Sequence, residues 1–251
     1  MSVLPYDLDP SRPVQLGLIV LQEDETIERD FRQLLPDQVS CLVSRVPSGR
    51  DVTPDSLAAM ADHITASAAL MPRGAQIAAM GYACTSGAAQ IGAHQIADLI
   101  ARGGQAGPVT DPVSAVLAAC RALGLRRLAL VSPYVSTVSA RLRDVLGSHG
   151  LDTPAFGSFG VSEEAQVSRI SHTALVEGAR QVARDEEVDG VFLSCTNLRS
   201  LPAIAQLEAD LDLPVLSSNQ VLAWHLLRLA RVDTSNGVGR LFRTSLQSAD
   251  K

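Results

Sequence analysis

The feature that most constrains this chain is an apolar run that ends in cysteine and threonine and occurs twice. The first copy reads MGYACTSG at residues 80–87, and the second reads GVFLSCTNL at residues 190–198. In each copy a run of strand length and composition ends near a cysteine, Cys84 or Cys195, that small polar residues follow. Because repetition within a chain indicates repeated architecture, the sequence predicts two similar halves that each carry a cysteine after a buried strand.

Strand-like and helix-like segments alternate through both halves, which favours parallel sheets with right-handed crossovers. The fold class is therefore α/β. Strands are predicted at residues 14–21, 41–46, 77–83, 128–134, 155–159 and 190–193, with short strand-and-turn segments at 108–112 and 214–219. Helices are predicted at residues 27–35, 56–70, 88–101, 113–123, 138–147, 171–185 and 220–230, followed by a polar, poorly ordered tail at 237–251.

Composition and charge argue against several kinds of partner. The 251 residues are enough for two lobes that each bury a core. The net charge is -6 and the basic residues are scattered, so we expect no nucleic-acid partner. Residues 1–13 lack the basic start and apolar core of a secretory signal, and no apolar run approaches the roughly 20 residues of a membrane span. We therefore expect a cytoplasmic protein without a membrane partner.

The four cysteines are expected to be free thiols, as is usual in the cytoplasm. None belongs to a C-x-x-C pair or stands at metal-ligand spacing from histidines, so no metal site is predicted. Cys41 and Cys120 have the settings of small core residues. From the residues alone, Cys84 and Cys195 stay open between two interpretations, buried core thiols or reactive groups.

Several polar or reactive side chains follow predicted strands, where open α/β sheets bind their ligands. They are Asp24, Cys84, Tyr134, Cys195 and Ser217. If the two halves face each other, the two thiols approach a small substrate from opposite sides. Such a pair suits removal of a proton from one face of a carbon next to a carboxylate and its return on the other face. Tyr134 could otherwise be a packed turn residue, and Ser217 could cap the next helix.

The residues after each cysteine supply groups for a carboxylate or an enolate. Backbone amides and side chains of Thr85, Ser86, Thr196 and Asn197 are suited to hold such a negative charge. A thiolate is the reactive form of cysteine, and a helix start lowers the pKa of a thiol below its usual value of about 8.5. Since each cysteine precedes a predicted helix, we expect both thiols to be activated in this way.

Three segments resemble the aspartate/glutamate racemase superfamily, in its branch of maleate cis-trans isomerases and arylmalonate decarboxylases. They are YACTSG at residues 82–87, LSCTNLR at 193–199 and PVLSSNQ at 214–220. The resemblance extends from residue 16 to about residue 230. Further strings are similar to the ectoine utilization protein A group: LIVLQEDETIERDF at residues 18–31, SRVPSG at 44–49 and SPYV at 132–135.

This resemblance implies two pseudo-symmetric lobes, each a mainly parallel sheet flanked by helices. An N-terminal lobe would comprise residues 1–112 plus 217–251, and a C-terminal lobe residues 113–216. The resemblance also implies a homodimer, no cofactor, and a site between the lobes for a small carboxylate. In the isomerase pattern Cys84 adds to the double bond of maleate and Cys195 supplies a proton, whereas in the racemase pattern the two exchange the roles of base and acid. Decarboxylases of the branch keep only the second cysteine, so the presence of Cys84 argues against decarboxylation.

Two acidic residues depart from the isomerase pattern. Asp24 takes the place of an asparagine that binds a substrate carboxylate, and Glu164 aligns with a second asparagine. An ionised acid repels a carboxylate at short range but attracts an ammonium. The departures therefore favour a substrate with a carboxylate and an amine-bearing arm, such as a diaminobutyrate derivative from ectoine breakdown. The alternative is that Asp24 only caps the helix that follows it.

The sequence thus predicts an isomerase or racemase that works without a cofactor, with Cys84 and Cys195 as its catalytic pair. Asp24 and Glu164 are expected to select the amine. The residues expected to hold the substrate carboxylate are Thr85, Ser86, Tyr134, Thr196 and Asn197. One alternative function is maleate cis-trans isomerisation. Another is a two-lobed ligand-binding module without catalysis, in which paired cysteines would have no purpose.

Overall fold

The structure, a computed structural model, describes residues 3–184, 186–234 and 237–244. Its framework is a pair of four-stranded parallel sheets. The strands of the first sheet are β1 (Val14–Leu21), β2 (Val39–Val46), β3 (Ile77–Ala83) and β4 (Val109–Thr110). The strands of the second sheet are β5 (Arg127–Tyr134), β6 (Asp152–Val161), β7 (Gly190–Leu193) and β8 (Val215–Ser217).

Helices connect the strands and cover the sheets. Their bounds are α1 (Ile27–Leu34), α2 (Pro54–Ala59), α3 (Ala61–Ala69), α4 (Thr85–Ile91), α5 (Ala93–Arg102), α6 (Pro112–Leu123), α7 (Ser136–Ser148), α8 (Glu164–Val167), α9 (His172–Arg184), α10 (Ile204–Leu211), α11 (Ser218–Leu229) and α12 (Gly239–Phe242). A 3₁₀ turn, Leu201–Ala203, precedes α10. None of the helices in the described ranges is long and apolar enough to cross a membrane.

The two sheets have the same topology. Their spatial orders are β2-β1-β3-β4 and β6-β5-β7-β8, so β1 corresponds to β5 and β3 corresponds to β7. The predicted pair of similar α/β lobes is therefore confirmed. The lobe boundaries at residues 112 and 216 stay a prediction, and helix α11 packs against β3 of the first sheet as well as β8 of the second.

The core lies on both faces of each sheet. Leu18, Ile19 and Val20 of β1 are fully buried, as are Leu128 and Leu130 of β5. Strands with helices on both faces read as continuous apolar runs, because neither face meets water. Beyond the apolar runs of β1, β3 and β7, the chain places the polar side chains of Asp24, Thr85 and Thr196.

Two predicted helices are each divided in the structure. The helix predicted at residues 56–70 is interrupted at Met60, between α2 and α3. The helix predicted at residues 88–101 is interrupted at Gly92, whose φ of +95° ends α4 and begins α5. Glycine adopts that conformation at little cost because it has no Cβ.

The predicted tail is wrong for its first part. Residues 239–242 form α12, and Leu241 and Phe242 are buried in the core. Two apolar side chains in a polar segment were enough to anchor it, because their burial removes apolar surface from water. Residues 245–251 of the predicted tail lie outside the described residues.

Candidate active site

A narrow crevice lies where the carboxyl ends of the strands of both lobes meet. It is too narrow to admit a water molecule. The structure brings all nine predicted site residues together in its lining, with Leu21 as the tenth residue. The nine are Asp24, Cys84, Thr85, Ser86, Tyr134, Glu164, Cys195, Thr196 and Asn197.

The first cysteine loop, residues 84–87, forms as the sequence predicted. Cys84 follows β3 directly and is the N-cap residue of α4. Its Sγ accepts a hydrogen bond from the N–H of Gly87 at 3.2 Å. A Cβ at Gly87 would lie 3.0 Å from Sγ of Cys84, so glycine allows the close approach of the helix start to the thiol. The tight helix start therefore fixes the position of the first thiol.

The second cysteine loop, residues 195–198, differs from the prediction. Cys195 does not begin a helix, because the chain bends through residues 196–198 and the next helical turn starts at Leu201. The φ of Cys195 is +126°, a conformation that strains a residue with a side chain by about 1–3 kcal/mol. The surroundings enforce it: the N–H of Cys195 donates to Ser218 Oγ at 2.9 Å, and the N–H of Asn197 donates to Cys195 Sγ at 3.3 Å.

Tyr134 and Glu164 form a polar group beside the second thiol. Tyr134, the last residue of β5, donates from Oη to Glu164 Oε1 at 2.7 Å, and the same Oη lies 3.0 Å from Cys195 Sγ. Glu164 Oε2 accepts a hydrogen bond from Nδ2 of Asn197 at 3.1 Å. Tyr134 is thus a residue of the crevice and more than a packed turn residue.

Asp24 both caps a helix and faces the crevice. Its Oδ1 accepts hydrogen bonds from the N–H groups of Thr26 at 2.8 Å and Ile27 at 2.9 Å, at the start of α1. Its Oδ2 is buried and has no hydrogen-bond partner within the described ranges. A buried carboxylate oxygen without a partner is unfavourable unless a ligand or a proton satisfies it. Asp24 therefore fits both predicted interpretations, since Oδ1 caps the helix and Oδ2 is placed to meet a substrate.

The residues predicted to hold a carboxylate also hold the loops of the two lobes together. Asn197 Oδ1 accepts from the N–H of Glu25 at 2.9 Å, and Thr196 Oγ1 donates to the carbonyl of Ala83 at 3.3 Å. Thr85 Oγ1 lies 2.7 Å from Ser218 Oγ. Ser86 lines the crevice beside them. These contacts therefore link the surroundings of the two cysteines.

Burial dominates the electrostatics of the two thiols. It raises the pKa of Cys84 and of Cys195 well above the usual range, and the nearby carboxyl of Glu164 raises both further. The N–H groups at each loop lower these pKa values by less. The expected activation by a helix start is therefore outweighed at Cys84 and missing at Cys195, because desolvation disfavours the charged thiolate.

Burial also raises the pKa of the two acids in the crevice. For Asp24 the N–H groups of Ile27 and Thr26 and the side chain of Thr196 oppose that rise, and for Glu164 the hydrogen bonds from Tyr134 and Asn197 oppose it. No basic side chain is among the described residues that line the crevice. Across all the residues that the structure describes, no cluster of three or more His, Cys, Asp or Glu residues could hold a metal ion.

Sequence reasoning missed the residues that support the second cysteine loop. Ser218 bonds both Thr85 and the backbone of Cys195, although the run that contains it suggests only a helix cap. Its neighbour Ser217 does form that cap, in a reciprocal pair with Gln220. Behind the loop, Asn219 donates to the carbonyl of Thr196 at 2.8 Å and to the buried Asp30 at 2.8 Å. The position of Ser218 at the end of β8 was the available signal.

The remaining cysteines behave as expected. All four cysteines are free. Cys120 is buried, and Cys41 packs against the core at its edge. Burial raises the pKa of both to about 12, and neither is among the residues that line the crevice.

The chain matches a known protein family over most of its length. The profile of the family described as arylmalonate decarboxylase matches residues 16–242. The arylmalonate decarboxylase of Bordetella bronchiseptica is 36% identical over 141 residues, which is 55% of this chain and 59% of that protein. The chain therefore aligns with less than two thirds of the length of this relative.

Solved structures show the same fold. A mutant of the maleate cis-trans isomerase of Nocardia farcinica with a covalently bound succinylcysteine intermediate superposes with a TM-score of 0.85 at 25% identity, covering 92% of this chain and 99% of that chain. An arylmalonate decarboxylase double mutant in the liganded form, with glycine changed to cysteine and cysteine changed to serine, has a TM-score of 0.81 at 30% identity. That match covers 93% of this chain and all of the other chain.

Proposed function

The chain belongs to the arylmalonate decarboxylase family, and we propose that it is an isomerase that inverts a carbon next to a carboxylate in a small, amine-bearing amino-acid derivative. The observation that carries this proposal is the crevice, which holds two thiols and two buried acids but no basic residue among its described lining. The similar proteins reported above are a maleate cis-trans isomerase and arylmalonate decarboxylases, whose names refer to carboxylate substrates.

In the proposed reaction the two thiols exchange one proton each with the substrate. One cysteine, as thiolate, takes the proton from the α-carbon and becomes a thiol. The other cysteine, as thiol, gives its proton to the opposite face and becomes a thiolate. Hydroxyl and amide groups of Thr85 and Ser86 would stabilise the negative charge that develops on the substrate carboxylate between the two proton transfers. No cofactor takes part in these steps.

The acids of the crevice favour a cationic group on the substrate. A second carboxylate next to Asp24 and Glu164 would add negative charge to a desolvated site, whereas an ammonium would offset the charge already there. The free Oδ2 of Asp24 is the available acceptor for that ammonium. The same cation would also lower the pKa of both thiols, since an opposite charge favours the ionised form. A diaminobutyrate derivative is a substrate of this class.

Maleate isomerisation is the second candidate function. It is favoured by the raised pKa values of Asp24 and Glu164, because a protonated carboxyl group donates a hydrogen bond to a substrate carboxylate instead of repelling it. It is also supported by the covalent succinylcysteine intermediate of the Nocardia isomerase. In this reaction Cys84 would add to the double bond, and Cys195 would protonate the adjacent carbon.

One experiment in heavy water separates these functions. Purified protein is incubated with a diaminobutyrate derivative, with maleate and with an arylmalonate, and the products are followed by NMR and chiral chromatography. We expect deuterium at the α-carbon of the diaminobutyrate derivative together with loss of optical purity. Fumarate formed from maleate would establish the second candidate, and carbon dioxide released from arylmalonate would establish a decarboxylase. Absence of all three reactions would contradict the enzymatic proposal.

Substitution of Asp24 by asparagine tests the substrate class. We expect Asp24→Asn to raise KM for the amine-bearing substrate by about tenfold or more, equivalent to about 1.4 kcal/mol or more of lost binding energy, with a smaller effect on kcat. Glu25→Gln is the matched control, because Glu25 is an exposed acid in the same turn and is not part of the crevice lining. Equal KM values for the two variants would contradict a direct role of Asp24.

A further inference from the structure

A continuous hydrogen-bonded chain joins Cys195 to Tyr134 and Glu164. It contacts Cys195 and not Cys84, so it distinguishes the two cysteines. Tyr134 Oη lies 3.0 Å from Cys195 Sγ and 2.7 Å from Glu164 Oε1. All three side chains are at most 4% exposed. A proton can therefore move along this chain without a water molecule between the groups.

The direction of the hydrogen bonds follows from the number of hydrogens. A tyrosine hydroxyl has one hydrogen, and an ionised carboxylate only accepts. When Glu164 is ionised, Tyr134 donates to it, so the contact between Tyr134 Oη and Cys195 Sγ must use the hydrogen of the thiol. The chain then runs from the thiol through the hydroxyl to the carboxylate, which is the order needed to remove a proton from Cys195.

We propose that Glu164, acting through Tyr134, accepts the thiol proton of Cys195 and so makes Cys195 the first base of the reaction. The S–H bond of Cys195 breaks and its proton passes to Tyr134 Oη, while the O–H bond of Tyr134 breaks and its proton passes to Glu164 Oε1. The negative charge moves from Glu164 to Cys195, and Tyr134 stays neutral. This inference rests on the proposed function, for which it names the order of the two thiols.

The same contacts support the chain after the proton has moved. Tyr134 then donates to the thiolate of Cys195, and the protonated Glu164 donates to Tyr134. Asn197 holds both ends, since its Nδ2 lies 3.1 Å from Glu164 Oε2 and its N–H donates to Cys195 Sγ at 3.3 Å. Tyr134 touches the reacting sulfur and is a catalytic residue, whereas Glu164 and Asn197 are positioning residues.

Cys84 has no counterpart of this chain. Its Sγ accepts a hydrogen bond from the N–H of Gly87, and no titratable side chain within the described residues is hydrogen-bonded to it. Cys84 therefore stays a thiol and returns the proton to the other face of the substrate. The cycle closes when Cys84 regains a proton from solvent and Glu164 releases one, which restores the starting charge.

The two acids of the crevice consequently have different tasks. Both oxygens of Glu164 are bonded to Tyr134 and Asn197, while Asp24 keeps one oxygen without a partner in the described part of the chain. Asp24 is placed to meet the substrate, and Glu164 is placed to receive a proton. This separates roles that the sequence assigned to both residues together.

The test compares the alkylation rates of the two thiols in protein without substrate. Iodoacetamide is added at low conversion, and the labelled cysteines are quantified by mass spectrometry. Because both thiols line one crevice, the ratio of their rates cancels the effect of crevice opening. We expect Cys195 to react faster than Cys84 in the wild type. Glu164→Gln removes a negative charge that raises the pKa of both thiols, so its effect is read from the ratio of the Cys195 rate to the Cys84 rate. Glu164→Gln and Tyr134→Phe should each reduce that ratio by about tenfold or more, as a rise of one unit in the pKa of Cys195 relative to that of Cys84 would do.

Glu163→Gln is the matched control, because Glu163 is the neighbouring acid and is exposed. It should leave the ratio of rates unchanged. A faster reaction of Cys84 in the wild type, or an unchanged ratio in Glu164→Gln, would overturn the proposal. If neither thiol reacts, the ultraviolet absorbance of thiolates is measured as a function of pH instead. The absorbance that is lost in Cys195→Ala belongs to Cys195, and it should appear at lower pH than the thiolate absorbance of the other cysteines.

A pH profile excludes a merely structural role for Glu164. In the wild type the Cys195 rate should rise as pH passes through the raised pKa of Glu164, while in Glu164→Gln it should rise only in the alkaline range of a buried thiol. The titratable groups that face Glu164 are Glu23, Asp24, Cys84, Tyr134 and Cys195. Since no substrate is used, absence of isotope exchange would contradict the proposed function without changing this result.

Discussion

The two cysteine loops begin with the same residues, Cys and Thr, yet the structure builds them differently. The first loop has an extended backbone at Cys84, continues into α4, and bonds its thiol to a backbone N–H. The second loop has a positive φ at Cys195 and continues without a helix. Its thiol contacts both Tyr134 and the N–H of Asn197.

The difference between the two loops shows that a repeated sequence unit does not give two equivalent catalytic groups. Burial raises the pKa of both thiols, so neither is ionised by its own loop near neutral pH. Only the second loop has a tyrosine and a carboxylate within hydrogen-bond reach among the described residues. Pseudo-symmetry therefore places the thiols, and local contacts decide their order of action.

The largest expected effect is the response to loss of each thiol. Cys84→Ala and Cys195→Ala should each reduce racemisation by about a thousandfold or more, since each face of the substrate needs its own proton-transfer group. In heavy water, Cys84→Ala should still exchange the α-hydrogen of one enantiomer, because Cys195 keeps its proton acceptor. Cys195→Ala should exchange neither. The reverse pattern would show that the first loop carries the stronger base.

A smaller effect is expected at Asp30, which is linked to the second loop through Asn219. Burial raises the pKa of Asp30 from 3.8 to about 6, so the folded state favours the protonated form. Its contribution to stability is complete below pH 3.8 and is lost as pH rises through about 6. Two pKa units correspond to about 3 kcal/mol.

Urea unfolding of wild type and Asp30→Asn across this pH range measures that contribution. The free energy of unfolding of the wild type should fall relative to the variant as pH rises, because asparagine does not titrate. A constant difference between the two proteins would contradict the raised pKa.

Ser218→Ala should loosen the second loop more than the first. It removes the oxygen that accepts the N–H of Cys195 at 2.9 Å and leaves that buried group without its partner. We expect a loss of about 1–3 kcal/mol in the free energy of unfolding. The alkylation rate of Cys195 should change more than that of Cys84, although Thr85 of the first loop also loses its contact. Equal changes at both thiols would indicate that Ser218 only joins the lobes.

The smallest effect is expected from Gly87→Ala in the first loop. The added Cβ would lie 2.8 Å from Tyr82 Oη, 2.9 Å from Met60 Cε and 3.0 Å from Cys84 Sγ. Two of these contacts involve ends of side chains that can shift, so we expect a destabilisation of about 1 kcal/mol. Differential scanning calorimetry measures it, and Gly74→Ala, at a site with open space, is the control. A Tm equal to that of the control would show that α4 adapts without strain.

Sequence patterns were sufficient for the framework of this protein. The order of apolar runs and helical segments predicted two parallel sheets, because each βα unit is a local pattern whose crossover hand is fixed by chain chirality. The rule that ligands bind at the carboxyl ends of parallel strands selected Asp24, Cys84, Tyr134, Cys195 and Ser217. The first four line the crevice, whereas Ser217 caps α11 and is not part of the lining.

What the sequence alone determined is therefore the pair of lobes and the set of residues at their meeting point. The tertiary structure decided the positive φ of Cys195, the role of Ser218 between the loops, and the chain from Cys195 through Tyr134 to Glu164. These features depend on contacts between segments far apart along the chain. A local pattern contains no information about such contacts, because burial and hydrogen-bond geometry arise only when the lobes pack together.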